Sequence, residues 1–317
     1  MNKPFDRILK WILWPAVALK RVTSRLIIPG FDGMSLYSAS SFFFRGLWRG
    51  SITTRAAALS FTFFLALFPA ILFFFTLIPY IPIHGLQHTL LSMLKDVLPA
   101  STYTQASSTI EDIIIRQHGK LLSIGFLTAV YFSTSGINGI MLAFNNSIHV
   151  KETRPFFRQK AIALLLVVIV SVLAIIAIAL VAGGSNLLHF LQREGIIKRH
   201  FVYYTLMVCK WIIIVVLFFF VVSFLYYFAP AKHGRFRFIS PGSTLATFLF
   251  ILTSIGFDFY ISHFASYNKL YGSIGALIII LVWIYFNAIV LLIGFELNAS
   301  ILNARKERAK KEINTYK

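Results

Sequence analysis

Long, nearly unbroken apolar stretches alternate along the chain with short polar or basic ones. Six are long enough to cross the hydrocarbon core of a bilayer, which takes about 20 mostly apolar residues in a helix. They are Ala56–Ile78, Leu121–Ile148, Ala161–Ala182, Val208–Phe228, Thr244–Phe264 and Ser273–Ile301. They are far longer than the roughly ten-residue alternating strands of a transmembrane barrel. The pattern therefore predicts an all-α fold, a polytopic membrane bundle of six transmembrane helices. The second and fifth runs carry several polar residues. Pro69, inside the first, removes a backbone donor and predicts a kink. Ser38–Thr53 mixes Phe42–Phe44 and Trp48 with Arg45 and Arg49, the pattern of an amphipathic helix lying in the membrane interface. The connection His84–Lys120 holds two short apolar-periodic pieces, Leu86–Leu98 and Thr104–Gln117, expected as extracytoplasmic helices. The chain then divides into a basic N-terminal extension (1–35), a six-span membrane domain (36–302) and a basic tail (303–317).

Charge placement orients these spans. Of the 30 Lys and Arg, 22 fall in 1–55, 149–160, 229–243 and 302–317, and 8 in the alternate connections. Basic residues in short loops resist translocation, so this asymmetry predicts both termini in the cytoplasm. Composition agrees with a membrane setting: 58% hydrophobic and 13% charged residues among 317, where soluble domains run at about 45–50% and 25%. The mean hydropathy is +0.77. A net charge of +19 would suggest nucleic acid in a soluble protein. Here the basic tail Arg305–Lys317 reads as an orientation signal that touches anionic head groups, and no nucleic-acid partner is expected. The single cysteine, Cys209, excludes a disulfide within the chain.

Residues that are costly at membrane depth are the first candidates for function. Two acids lie inside apolar runs, Asp258 and Glu296. A charge at mid-bilayer costs about 2.5–3.5 kcal/mol on insertion scales, and such residues face a bundle interior or a water-filled path. Glu296 has two readings, an acceptor for neighbouring helices or a group lining a substrate or proton path. Tyr285, eleven residues earlier, returns to nearly the same helix face. The stretch Ser133–Gly139, with Asn138, is small and polar, suited to close helix packing or to a cavity wall. His84 and His88 stand at a metal-ligand spacing, but a catalytic zinc needs three protein ligands and no third lies nearby, so no metal is expected. No nucleophile elbow, phosphate-binding loop or zinc-protease motif is present. No catalytic residues and no cofactor are expected.

Spaced motifs add a family reading. Arg55-Ala56-Ala57-Ala58-Leu59-Ser60-Phe61, Pro69 and Arg154-Pro155-Phe156-Phe157 come first. Pro230, Pro241-Gly242, Tyr260, Ser266-Tyr267-Asn268 and Tyr271-Gly272-Ser273-Ile274-Gly275 follow. Leu281-Val282-Trp283-Ile284-Tyr285 and Gly294-Phe295-Glu296-Leu297-Asn298-Ala299 complete the set. Over about residues 40–302 the chain resembles the YihY / virulence factor BrkB family of bacterial inner-membrane proteins. The resemblance implies six spans with cytoplasmic termini. It also implies a link to the cell envelope and to export of lipids or lipid-linked precursors. Members have carried the label ribonuclease BN. A nuclease needs clustered metal-binding carboxylates or histidines, or an acid/base pair beside cations, and the cytoplasmic connections hold Glu152 as their one acid.

The expected function is thus a non-enzymatic inner-membrane transporter or flippase of an amphipathic envelope lipid. The alternative is a membrane scaffold or assembly factor that engages other envelope proteins. Expected substrate-path residues are Glu296, Asp258, Tyr285, Asn298, Asn268, Tyr271 and Asn138. Expected head-group ligands are Arg154 and Arg158 in one connection and Arg235 and Arg237 in another.

Overall fold

A computed structural model of the chain describes residues 40–41, 43–44, 51–81, 87–88, 90–92, 100–147, 154–193, 200–231, 239–263 and 273–315. Seven long helices carry the fold: α1 (Ile52–Leu77), α2 (Ala100–Ile115), α3 (Gly119–Asn145), α4 (Phe156–Arg193), α5 (His200–Phe228), α6 (Pro241–His263) and α7 (Ser273–Thr315). All but α2 are long and apolar enough to cross a membrane, so the expected six spans are present. No strand occurs among the described residues. The second helix expected in the long connection is α2; most of the first, with His84, lies outside the described residues. So does most of the expected interfacial helix 38–53, of which residues 40–41 and 43–44 are helical and 52–53 open α1. The last span and the expected tail share one helix, since α7 is 43 residues long and ends at Thr315.

The chain forms two compact units. One comprises Met1–Arg55, Met141–Leu252 and Ile289–Lys317, the other Ala56–Ile140 and Thr253–Ala288. In the second unit α1 and α3 approach along a glycine face. A methyl group on Gly125 would sit 3.3 Å from Phe73 Cα, one on Gly136 3.1 Å from the Phe63 ring, and one on Gly139 3.4 Å from Leu59 Cδ2. The partners descend along α1 as the glycines ascend along α3, so the two helices run antiparallel. Small residues permit this because membrane helices associate by close packing rather than by water exclusion. The helix continues unbroken through Ser133–Gly139, and Gly136 and Gly139 within it pack against α1. Beyond α1, a short 3-10 turn, Ile78–Tyr80, meets α2, and Gln117 Nε2 donates to the Pro79 carbonyl at 3.3 Å.

In the first unit α4 and α5 pack side by side. Phe218 on α5 stacks on Phe250 of α6, with centroids 3.9 Å apart. A wedge of three rings joins α3, α5 and α7. Phe144 stacks on Phe295 at 4.0 Å with 6° between planes, and the Tyr226 ring stands edge-on to Phe144 at 5.7 Å. This wedge lies directly beside the polar cluster described next.

Candidate functional site

Within the first unit, Glu296 is the hub of a buried polar cluster. Its side chain has no exposed surface, and Arg55 beside it is 8% exposed. Arg55 Nη2 donates to Glu296 Oε1 at 2.7 Å, and Ser147 Oγ donates to Oε2 at 3.0 Å. Arg55 Nη1 donates to the Ala143 carbonyl at 2.7 Å. Local structure explains each position. Ser51, at φ 47°, stands in the left-handed region that disfavours side chains, and the Arg55 N–H closes the first turn of α1 on the Ser51 carbonyl at 3.1 Å. Ala143 lies in the last turn of α3, where carbonyls lack helical partners and the dipole favours a cation. Arg55 therefore neutralises Glu296 and caps α3 together. One acid joins α7 to the start of α1 and the end of α3. Arg55 Nε and Ser300 Oγ, one turn beyond Glu296 on α7, are buried without a partner among the described residues.

Neighbouring helix ends are closed by the same logic. Arg154 donates through Nη2 to the Ala229 carbonyl at 2.6 Å and through Nη1 to the Phe228 carbonyl at 3.2 Å, capping the end of α5. Asn145 Oδ1 accepts the Ala231 N–H at 2.9 Å. At the start of α6, Ser240 and Ser243 exchange side-chain bonds with each other's backbone N–H, at 3.1 and 3.2 Å. This is a capping arrangement with serine in the second position. Pro241 follows Ser240 as the first helical residue, where its missing N–H costs nothing. Asn298 of α7 reads that end: its Oδ1 accepts the Gly242 N–H at 2.8 Å, and its Nδ2 donates to Ser240 Oγ at 2.9 Å. Gly242 and Gly294 bring the two backbones together. A methyl group on Gly294 would collide with the Tyr226 hydroxyl and lie 2.6 Å from the Gly242 carbonyl. That hydroxyl is itself fixed, donating to the Leu291 carbonyl at 2.7 Å.

The expected site residues fall in different places. Glu296 sits in the cluster, Asn298 clamps α6, and Arg154 is turned to the end of α5. Arg158 is exposed at the start of α4. Asp258 is exposed on α6, while Tyr285 and Asn138 are half-buried; these three belong to the second unit. Asn268, Tyr271, Arg235 and Arg237 lie outside the described residues. The charge pattern gave no site role to Arg55 or Ser147. A usable signal existed: Arg55 directly precedes the first apolar run and Glu296 lies just before the end of the last. Six alternating spans place those two ends on one side.

The arrangement has a chemical consequence. Both oxygens of Glu296 are engaged, so the carboxylate acts as a latch between helices rather than as a free base. Among the described residues, no three His, Cys, Asp or Glu side chains gather as metal ligands. Arg154→Gln is expected to free two helix-end carbonyls and lower stability by about 1–3 kcal/mol. Thermal unfolding of the detergent-solubilised chain checks this, and an unchanged midpoint would refute the capping role.

The virulence factor BrkB family matches residues 43–317. The chain is similar to YfkH of Bacillus subtilis (strain 168), named a ribonuclease-like protein. The two are 30% identical over 254 residues, spanning 80% of this chain and 91% of that one. It is also similar to a UPF0761 membrane protein of Pseudoalteromonas atlantica, 28% identical over 257 residues, 78% of this chain and 81% of the other. Another UPF0761 membrane protein, from Tolumonas auensis, is 24% identical over 266 residues, 83% and 84% of the two chains. No solved structure matches the chain.

Proposed function

The chain belongs to the virulence factor BrkB family of membrane proteins, and from that premise we propose that it is a transporter or flippase of an anionic amphipathic envelope lipid. On this reading it is no enzyme, it sits in a bacterial inner membrane, and both termini face the cytoplasm. The 22 to 8 division of basic residues supports that orientation. One observation carries the transport reading: the fully buried Glu296, bridged to Arg55 and Ser147. Ionised groups are costly at membrane depth and persist there chiefly for function. The bridge holds the start of α1 and the end of α3 against α7, and these helix ends must part for a head group to pass. The ion pair is then the closed form of a gate, opened when the partners exchange each other for a solvated or lipid-borne charge.

The test is translocation of a fluorescent phosphatidylglycerol in proteoliposomes. The native chain is expected to move it, and Glu296→Gln to change the rate by roughly tenfold or more, the scale of one lost charge-assisted bond. Arg154 is a poor probe, because its loss acts through the end of α5. A second reading, a scaffold or assembly factor for the envelope, is favoured by the bonds of Arg154, Asn145 and Asn298, each of which ties a helix end to another element of the bundle. Native protein that moves none of several anionic lipids would transfer the weight to it.

A further inference from the structure

Two polar atoms of the Glu296 cluster have nothing to bind among the described residues, Arg55 Nε and Ser300 Oγ. Both side chains are buried, Arg55 at 8% exposed and Ser300 at 0%. Buried polar groups are otherwise nearly always paired, so a native orphan calls for a reason. The two are complementary in kind. Arg55 Nε is a donor, and it shares one edge of the guanidinium with Nη2, the edge that takes both oxygens of a carboxylate or phosphate. Glu296 uses half of that edge. Its Oε1 accepts from Nη2 at 2.7 Å, while its Oε2 accepts from Ser147 at 3.0 Å. Ser300 Oγ is a hydroxyl with lone pairs to offer. It lies four residues after Glu296 on one unbroken helix. Helix side chains lean toward the N-terminus, so this hydroxyl stands on the Glu296 side of its turn.

We infer that the cluster binds a phosphate oxyanion and a proton together, the anion on the Nε–Nη2 edge of Arg55 and the proton on Glu296. The inference rests on the transport reading and supplies its coupling. Charge balance drives it. Arg55 and Glu296 form a buried neutral pair. An anion that took Arg55 from Glu296 would leave the carboxylate buried without a counter-ion, which is strongly disfavoured. One proton on Glu296 restores neutrality, so the pair of charges becomes Arg55 with the anion, beside a neutral acid. The bonds balance as well. Arg55 keeps Nη1 on the Ala143 carbonyl, the anion gains Nε in addition to Nη2, and the new acid O–H finds Ser300 Oγ. Both orphans are then satisfied. Among the described residues, the surrounding groups leave Glu296 as the proton acceptor. The end of α3 brings Ser147, and α5 brings Tyr226, whose hydroxyl is held on the Leu291 carbonyl. No charged residue lies in α6 from Pro241 to Leu252, and Arg154 is spent on the end of α5. On α7 itself the next charged side chain, Arg305, is exposed.

Titration calorimetry of the full chain in detergent tests it, with short-chain phosphatidylglycerol or inorganic phosphate as the probe. Repeating each titration in buffers of unlike ionisation enthalpy counts the protons. The native chain is expected to take up about one proton per lipid bound, so binding weakens about tenfold for each unit rise in pH. Glu296→Gln, a neutral copy of the protonated acid, should bind with no proton uptake and no pH dependence. Ser300→Ala should weaken binding about fivefold, the scale of one hydrogen bond. Its thermal midpoint should stay at the native value, because in the paired form the hydroxyl bonds to nothing among the described residues. A merely structural serine would do the reverse. Native binding without proton uptake overturns the inference and leaves the transport reading standing. So does full-strength binding by Ser300→Ala. A native chain that binds neither probe overturns both. Inorganic phosphate that binds as tightly as the lipid, with the same proton count, upholds the site and makes its anion a soluble one rather than a head group.

Discussion

Glu296→Ala is expected to be among the most damaging single substitutions in the chain. It leaves Arg55 buried with a positive charge and no counter-ion, a situation that costs about 3–5 kcal/mol. It also strands the Ser147 hydroxyl, which loses its acceptor. The informative measurement is a double-mutant comparison of thermal midpoints. Replacing both partners by apolar residues of similar size, Arg55→Met with Glu296→Leu, removes both charges and should recover much of the loss. The double variant is then more stable than Glu296→Ala alone. Simple addition of the two losses would show that the residues do not act as a pair. The same comparison separates fold from function: a stable apolar pair that no longer moves lipid would assign the charges to gating, while one that still moves it would reduce them to packing.

The second large effect is expected at the crossing of α6 and α7. Gly294→Ala places a methyl group against the Tyr226 hydroxyl, the Gly242 carbonyl and, at 2.8 Å, the Ala246 methyl. Two of the three are anchored, one by its bond to the Leu291 carbonyl and one as backbone. The helices must therefore separate, and the overpacking should cost roughly 3 kcal/mol, the upper end of the usual range. Separation also pulls Asn298 away from the start of α6, so the loss spreads to the cap. Gly256, further along α6, has nothing within 4 Å of the corresponding position. Gly256→Ala should be neutral or stabilise by up to about 1 kcal/mol, because alanine favours the helix. Equal effects at the two glycines would show that helix propensity, not close approach, governs both.

These two sites differ in how far the amino-acid pattern reveals them. The six spans were legible because each needs only length and apolarity, which are local properties. Glu296 was legible as a costly residue for the same reason. Its partner was not, because pairing depends on which helix ends meet, and 241 positions separate Arg55 from Glu296. Arg154 illustrates a different loss. A basic residue beside a span reads equally well as a head-group ligand, an orientation signal or a cap, and the cap becomes visible only with the open carbonyls at the end of α5 in place. Asn298 was noticed within a motif, yet its use follows from Gly242, whose N–H has no helical partner at the start of α6. Glycine contacts are hidden most deeply, since Gly294 and Gly256 look alike in an apolar run and differ only in what stands opposite.

The length of α7 gives the latch a mechanical reach. From Glu296 the helix continues without interruption to Thr315, a stretch of 20 residues or about 30 Å. A continuous helix resists twist over that distance, so it behaves as a shaft with the latch at one end and the basic tail as its handle. A turn of the tail about the helix axis would be carried along α7 toward the carboxylate. Reciprocity then requires that whatever grips the tail more strongly in one rotational setting also biases the ion pair toward that setting.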